Sequence, residues 1–452
     1  MIARTQSPSL EVRASARRPL GMPPVRFLRD YWQKKPLLIR GAFVNFRNPV
    51  APNDFAGLAC EELALARIVV HEPKRDRWIV RNGPFVESDF AKLPKTCWTL
   101  LVQDVDKWDS DVAALLDRFS FLPSWRIDDV MVSYAEEGGS VGAHVDQYDV
   151  FLLQGLGRRR WQISIDPAAP TAFRDDAELK LLREFTPTHE WILEPGDMLY
   201  LPPGLPHHGV AIGACMTYSV GMRAPSQAEL ALDFIETLAE MLPENFRLTD
   251  SDLVPTRSDG EIDEAAIARV LRAMPWLRSP VDLPRGYPVS SSSPREPGSS
   301  SWLPMERRST RNTVEPQRHE QDGCDYPGQP DSSLLRTWFG RFITRYRSTQ
   351  VAAPGARLLT DATFRRALEQ GMHAQRNPWS RCAWMHEARG ANLFVAGASH
   401  ASSLRFARLV CTQANFPLAA TPSLAHDRAV LRALIDAGHL VLVRPRRPRR
   451  SA

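Results

Sequence analysis

The sequence predicts a mainly-β chain with flanking helices, in which a barrel is followed by helical segments and a small mixed C-terminal domain. Three observations carry this. Short strand-like apolar runs dominate the first 220 residues or so, helical periodicity replaces them from Ser226, and the last hundred residues read helix, hairpin, two helices, strand.

The chain is ordered from Phe27. Phe27, Leu28, Tyr31 and Trp32 make one stripe of a short helix, Pro36 ends it, and Leu37-Leu38-Ile39 reads as the first strand. The first twenty residues are rich in Arg, Ser and Ala and read as a disordered tip, a composition shared with organelle-targeting segments. A helix from Asp54 to Ala64 is followed by strands at Ile68-Val69-Val70, Trp78-Ile79-Val80 and Trp98 to Val102, the strand-rich pattern of a barrel. Ser110 is placed to cap a helix with Val112, Leu115, Leu116 and Phe119 facing the core, before a strand at Val130 to Tyr134.

Residues 131–163, MVSYAEEGGSVGAHVDQYDVFLLQGLGRRRWQI, hold the candidate chemistry. In an extended strand, His144-Val145-Asp146 points an imidazole and a carboxylate to one face, where one metal ion could take both. His207 offers a third ligand at the end of EPGDMLYLPPGLPH. Two histidines and a carboxylate leave three adjacent octahedral positions open, as in non-haem Fe(II) oxygenases, whereas a structural zinc site closes four positions, usually with cysteines. Neither half of the pattern has a cysteine nearby.

Val150 to Leu153 has the unbroken apolar character of a strand covered on both faces, and Gln154-Gly155-Leu156-Gly157 reads as a turn before a new strand from Arg158. Alternation sends Arg159 to the face opposite Arg158 and Arg160. Inside a barrel it needs an anion, and a dicarboxylate co-substrate chelating the metal at one end could meet Arg159 at the other. Ser133 could bind a co-substrate oxygen or satisfy a buried backbone group. Gly138, Gly139 and Gly142 suggest a mobile loop beside the metal, with Glu136, Glu137 or Asp149 as partners for a cationic substrate side chain. His208 points away from the ligand face.

Three blocks, YWQKKPLLIRGAF, HVDQYDVFLLQG-GRRRW and EPGDMLYLPPGLPHHGV, occur in the order found in the JmjC-type cupin oxygenases, and the chain resembles that family over roughly residues 20–280 and 334–443. Within it, the chain is most similar to the bacterial ribosomal oxygenases that hydroxylate an arginine of ribosomal protein L-sixteen. The resemblance implies a double-stranded β-helix (cupin/JmjC jelly roll), with Fe(II), 2-oxoglutarate and O2 as reactants and succinate and CO2 as by-products. It implies that His144, Asp146 and His207 hold iron while Ser133 and Arg159 bind 2-oxoglutarate.

Ser226-Gln227-Ala228-Glu229 forms a capping box, followed by Leu230, Phe234, Leu238 and Met241 at helical spacing. A second helix near Ile262 to Met274 presents Ile267, Val270, Leu271 and Met274. Such a pair can pack on the barrel or seal a dimer, and the family likeness favours a homodimer. The domain expectation is therefore a disordered tip (1–20), a JmjC/cupin catalytic domain (21–225), a helical dimerisation segment (226–282), a disordered Ser/Pro-rich insert (283–333), a winged-helix-like domain (334–443) and a basic tail (444–452). The insert departs from the family pattern.

In bulk the 452 residues are 43% hydrophobic and 24% charged, enough for two or three domains with real cores. A formal charge of +5 favours anionic partners such as ribosomal RNA, although the tail RPRRPRRSA supplies much of the excess and the winged-helix segment shows no dense basic recognition helix. The six cysteines lack CxxC spacing, suiting free thiols in a cytoplasmic, reducing compartment, and no apolar run reaches membrane-spanning length. Two other classes fit parts of the pattern. A JmjC demethylase would share iron and 2-oxoglutarate but release formaldehyde, and a non-catalytic cupin and winged-helix module would bind RNA or ribosomal protein without turnover.

Overall fold

The computed structural model describes residues 9–242, 247–254, 262, 264–274, 332–345, 359–422 and 424–445. The chain divides into two compact units, one comprising residues 1–233 with 339–452 and the other residues 234–338.

The first unit is built on ten strands: β1 (Glu11–Arg13), β2 (Leu37–Arg40), β3 (Ala66–Glu72), β4 (Arg77–Asn82), β5 (Trp98–Val102), β6 (Ile127–Ala135), β7 (Val150–Ile163), β8 (His189–Leu193), β9 (Met198–Leu201) and β10 (His207–Met222). They form one sheet in the order β1-β2-β9-β7-β10-β6-β5-β3-β4, with β8 also paired to β7. The pairs β2–β9, β9–β7, β7–β10 and β10–β6 at the centre of the sheet join strands that are not neighbours in sequence, as in a jelly roll rather than a meander.

Alternation along the central strands creates two apolar layers. Phe151 and Leu153 of β7, Met198 and Tyr200 of β9, and Leu37 and Ile39 of β2 join the large core cluster. Their neighbours Val150, Leu152, Leu199, Leu201 and Leu38 join Trp161 and Ile163 in a smaller cluster on the opposite face. The outer layer is sealed by the helix Pro24–Asp30, whose Phe27 ring lies 5.0 Å from Tyr200 and 5.8 Å from Phe151, while Trp32 stacks on Tyr200 at 5.8 Å. Each such fully buried ring contributes roughly 1.5–3 kcal/mol.

Several expectations change. The stretch from Ser9 to Leu20 is not a disordered tip: β1 pairs in parallel with β2, Arg40 binds Glu11 at 2.9 Å, and Leu20 is buried. The free edge of β2 offers unpaired backbone groups, which β1 satisfies. Residues 1–8 lie outside the described residues. Gln154 to Gly157 is no turn, because β7 runs unbroken through it and pairs with β10 on both sides. The glycines instead serve a bulge. Gly157 has φ +61°, and a Cβ there would come within 2.1 Å of the Ala214 carbonyl oxygen. The cap at the start of the helix Ser110–Ala113 is Asp109, whose Oδ1 accepts from the Asp111 and Val112 amides. The helix expected over 54–64 is the shorter Pro52–Leu58.

After β10, Ser226 and Glu229 exchange both bonds of the capping box, at 2.7 and 3.1 Å, and begin the helix Gln227–Met241. In the second unit, helix Glu264–Ala273 buries Arg269, which binds Asp252 at 2.9 Å, and leaves Ile267, Val270 and Leu271 exposed. The insert expected at 283–333 and nearly all of the basic tail lie outside the described residues.

The C-terminal part has its own core around Phe364, Leu393, Phe406, Phe416 and Leu431. Strands β11 (His373–Arg376), β15 (Asn415–Pro417) and β16 (Leu440–Val443) form one small sheet, and β12 (Cys382–Glu387), β13 (Gly390–Val395) and β14 (Ala398–Ser402) the other. With helices Asp361–Glu369, Leu404–Thr412 and Ala425–Asp436, this is the arrangement expected for a winged helix. No helix among the described residues is long and apolar enough to cross a membrane.

Candidate metal and co-substrate site

His144, Asp146 and His207 converge. Their ligand atoms lie within 4.8 Å of one another, and they are the one such group of three found among the described residues. His207 opens β10 on the cavity side and is buried. His144 lies not in a strand, as expected, but in an extended loop held to β10 by a single bridge, with reciprocal 3.0 Å bonds between the backbones of His144 and His207. The two imidazole centroids are 4.2 Å apart. The amide of Gly204, in the left-handed turn of the PPGLP segment, donates to the Asp146 carbonyl at 2.7 Å and ties the two halves of the motif together.

Each imidazole is oriented by its own backbone. Nδ1 of His144 donates to the Gly142 carbonyl at 3.0 Å, and Nδ1 of His207 to the Leu205 carbonyl at 2.9 Å, leaving both Nε2 lone pairs for a ligand. Those Nε2 atoms stand 4.0 and 3.6 Å from the two Asp146 carboxylate oxygens. These gaps are too long for hydrogen bonds and suit a shared ion with ligand bonds of about 2.0–2.2 Å. Burial, reinforced by His144, pushes His207 well below its ordinary pKa and keeps it neutral, as a metal ligand must be. Burial raises the Asp146 carboxyl, against the lowering effects of His144 and Arg67, so the site gains from a cation.

Arg159 is 3% exposed and turned inward between exposed Arg158 and Arg160, as the alternation predicts. Its Nη1 donates to the Ser133 hydroxyl at 3.1 Å and to Thr217 Oγ1 at 3.2 Å, and among the described residues its Nε has no partner and no salt bridge reaches it. Burial pulls the guanidinium below its ordinary pKa, and among the described residues no carboxylate offsets this. A buried cation supported only by two hydroxyls fits a site for an anionic co-substrate. Thr217 and Gln154, joined at 3.2 Å, belong to this polar row and were not anticipated. The row follows the register, since Thr217 of β10 sits opposite both Ser133 of β6 and Gln154 of β7. Nothing local marks Thr217, and the local sequence reads Gln154 as part of a turn.

The triad and Arg159 line one cavity of about 670 Å³, whose other walls include Asp104, Asp128, Asp129, Tyr148 and Trp161. The expected substrate carboxylates are engaged elsewhere. Tyr134 donates to Glu136, the Gly213 amide to Glu137, and Tyr200 and Gln33 to fully buried Asp149 at 2.6 and 2.9 Å. The glycine loop is pinned to β10 by Gly138 N–H to the Ala211 carbonyl (3.1 Å) and Ala211 N–H to the Gly139 carbonyl (3.0 Å). His208 points away from the triad, and its ring meets Phe185 edge-on at 6.1 Å.

A jelly roll carrying this group of three side chains, followed by a winged helix, is similar to the architecture of JmjC-domain proteins. The JmjC domain family matches residues 114–230, and a ROXA-like winged helix matches residues 320–441. More particularly, the chain is similar to the ribosomal protein uL16 3-hydroxylase of Escherichia coli K12, with 41% identity over 237 residues, 52% of this chain and 62% of the relative. It is similar to a probable ribosomal oxygenase of Haemophilus influenzae at 42% over 208 residues, 46% of this chain and 51% of the relative. In these alignments the chain spans less than two thirds of either relative. The solved structure of YcfD, a ribosomal oxygenase from E. coli in complex with cobalt and 2-oxoglutarate, superposes with a TM-score of 0.69 at 28% identity, covering 94% of this chain and 99% of that one.

Proposed function

We propose that this chain is an Fe(II)- and 2-oxoglutarate-dependent dioxygenase that hydroxylates an arginine side chain of the large-subunit ribosomal protein uL16. The observation that carries this reading is the placement, in one cavity, of a three-ligand cation site and a buried arginine that has no carboxylate partner among the described residues. Relatives named for uL16 3-hydroxylation and ribosomal oxygenation support the substrate.

His144, Asp146 and His207 hold the iron by Nε2, carboxylate and Nε2, and the Gly142 and Leu205 carbonyls hold the rings in that orientation. Arg159, braced by Ser133 and Thr217, takes the distal carboxylate of 2-oxoglutarate. Fe(II), with 2-oxoglutarate and O2, supplies the oxidising chemistry. The protein's part is to fix these geometries and keep a largely apolar wall of Val150, Leu152 and Trp161 beside the reacting groups. The exposed apolar face of helix Glu264–Ala273 supports a homodimer, and the dispersed cysteines suit a cytoplasmic location.

The test is aerobic incubation with Fe(II), 2-oxoglutarate and intact large-subunit ribosomal proteins, followed by mass spectrometry. A stable gain of one oxygen on an arginine of uL16 is expected, and His144→Ala, Asp146→Ala or His207→Ala should each abolish substrate-dependent succinate formation. Loss of a methyl group with formaldehyde would instead indicate a demethylase. Normal turnover in any triad variant removes the site assignment.

A further inference from the structure

The cavity that holds the triad is not lined by the barrel alone: Arg381, from the winged-helix part of the same compact unit, forms part of its wall. Its guanidinium Nη2 donates to the Asp128 backbone carbonyl at 2.9 Å and also binds the Asp128 carboxylate. The side chain is only 14% exposed, so this is no loose surface pair.

The turn that presents Arg381 is held from several sides. Asn377 Oδ1 accepts from the Trp379 amide at 3.0 Å, Ser380 Oγ meets His439 Nδ1 at 2.8 Å, and the Arg381 carbonyl accepts from the Ala396 amide at 3.0 Å. Trp379 also meets Trp108 edge-on at 5.9 Å beside the contact. Position and orientation of this arginine are therefore properties of the folded winged helix.

Its effect is on charge and shape. Asp128 and Asp129 follow Ile127 at the start of β6 and both line the cavity. Arg381 takes the first, while Asp129 accepts the Asp104 amide at 3.1 Å and, among the described residues, pairs with no cation. One carboxylate is thus neutralised at the rim and another left facing the cavity that contains the metal site, a distribution suited to a single cationic side chain.

We propose that Arg381 is a positioning residue for the protein substrate, by which the winged helix sets the cavity rim so that a cationic side chain entering from a polypeptide is met by Asp129. The inference rests on the substrate reading above and extends it, giving the winged helix a role in substrate binding that requires no nucleic acid.

The full chain loaded with Fe(II) and 2-oxoglutarate, with uL16 as probe, tests this in Arg381→Ala and Arg381→Lys variants. The KM for uL16 should rise about tenfold in Arg381→Ala, the value of one charge-assisted contact, and largely recover in Arg381→Lys. The Kd for 2-oxoglutarate, measured calorimetrically on the Mn(II)-loaded protein without O2, should stay within about twofold. An unchanged KM overturns the inference, as does an equal weakening of uL16 and 2-oxoglutarate binding, which would indicate general loosening. If Arg381→Ala fails to fold, the near-isosteric Asp128→Asn decides by the same readouts. If the unaltered chain does not turn over uL16, the substrate reading falls, and the inference is judged on calorimetric binding of N-acetylarginine amide, where equal affinity for wild type and Arg381→Ala overturns it.

Discussion

Replacing Arg159 with methionine should raise the stability of the ligand-free protein and destroy its response to 2-oxoglutarate. The guanidinium is 3% exposed, has only the Ser133 and Thr217 hydroxyls on Nη1, and lies 5.4 Å over the Trp161 ring. An apolar side chain of similar length replacing an uncompensated buried charge gains about 1–4 kcal/mol. Against this stand two hydrogen bonds of about 1 kcal/mol each, and Thr217 keeps its bond to Gln154. A net gain of about 1–2 kcal/mol remains. In the other direction, a fork-to-carboxylate pair comprises two charge-assisted bonds of about 1.5–3 kcal/mol each, so 2-oxoglutarate affinity should fall by roughly two orders of magnitude or more. At a concentration of about 100 times the wild-type Kd, the ligand stabilises the native protein by about 2.7 kcal/mol, and the variant forfeits nearly all of this. Urea denaturation of Mn(II)-loaded protein, with and without 2-oxoglutarate, should therefore show the two proteins exchanging rank. A variant less stable without ligand and equally stabilised by it would refute both halves of the reasoning.

Further outcomes follow from particular contacts. Burial, with Asp104, Asp106 and Asp128 nearby, raises Asp129 to about 7. An unfolded aspartate loses its proton near 3.9, so the native state holds the proton longer, and stability should fall as pH rises from about 4 to 7 and level off above. Asp129→Asn should flatten this slope by about 2–4 kcal/mol, measured as the difference in urea midpoints at the two ends. At Gly209 an added Cβ would lie 2.7–2.9 Å from three carbons of the Trp161 indole. Gly209→Ala should thus cost about 1–3 kcal/mol or push the ring into the cavity, read as a lower melting temperature or weaker 2-oxoglutarate binding. Asp427 is fully buried and accepts from the Ser403 amide (2.8 Å) and hydroxyl (2.5 Å), bracing the residue that caps helix Leu404–Thr412. Asp427→Ala should destabilise the protein by about 2 kcal/mol or more, with loss of that helix's amide protection first in hydrogen exchange.

The amino-acid sequence by itself determined that His144 and Asp146 lie together and that Arg159 points inward, because both depend on short-range geometry, whereas His207 joined them only through the bridge between β10 and the His144 loop. A His-x-Asp spacing places two donors together in any extended backbone, and a period of two separates Arg159 from its neighbours regardless of what the strand pairs with. The same local rules misread Gln154 to Gly157, since glycine and glutamine punctuate turns and bulges alike. Only the pairing of β10 on both sides, with its own irregularity between Ile212 and Met216, made the stretch a bent strand. Tertiary structure alone decided which polar groups serve the site. Thr217 joined Ser133 on Arg159 through sheet register, Arg381 reached the cavity through the folded C-terminal domain, and Glu136, Glu137 and Asp149 were drawn to partners inside the chain. The physical reason is that a side chain's direction is local, whereas its partner depends on which distant strands burial brings together.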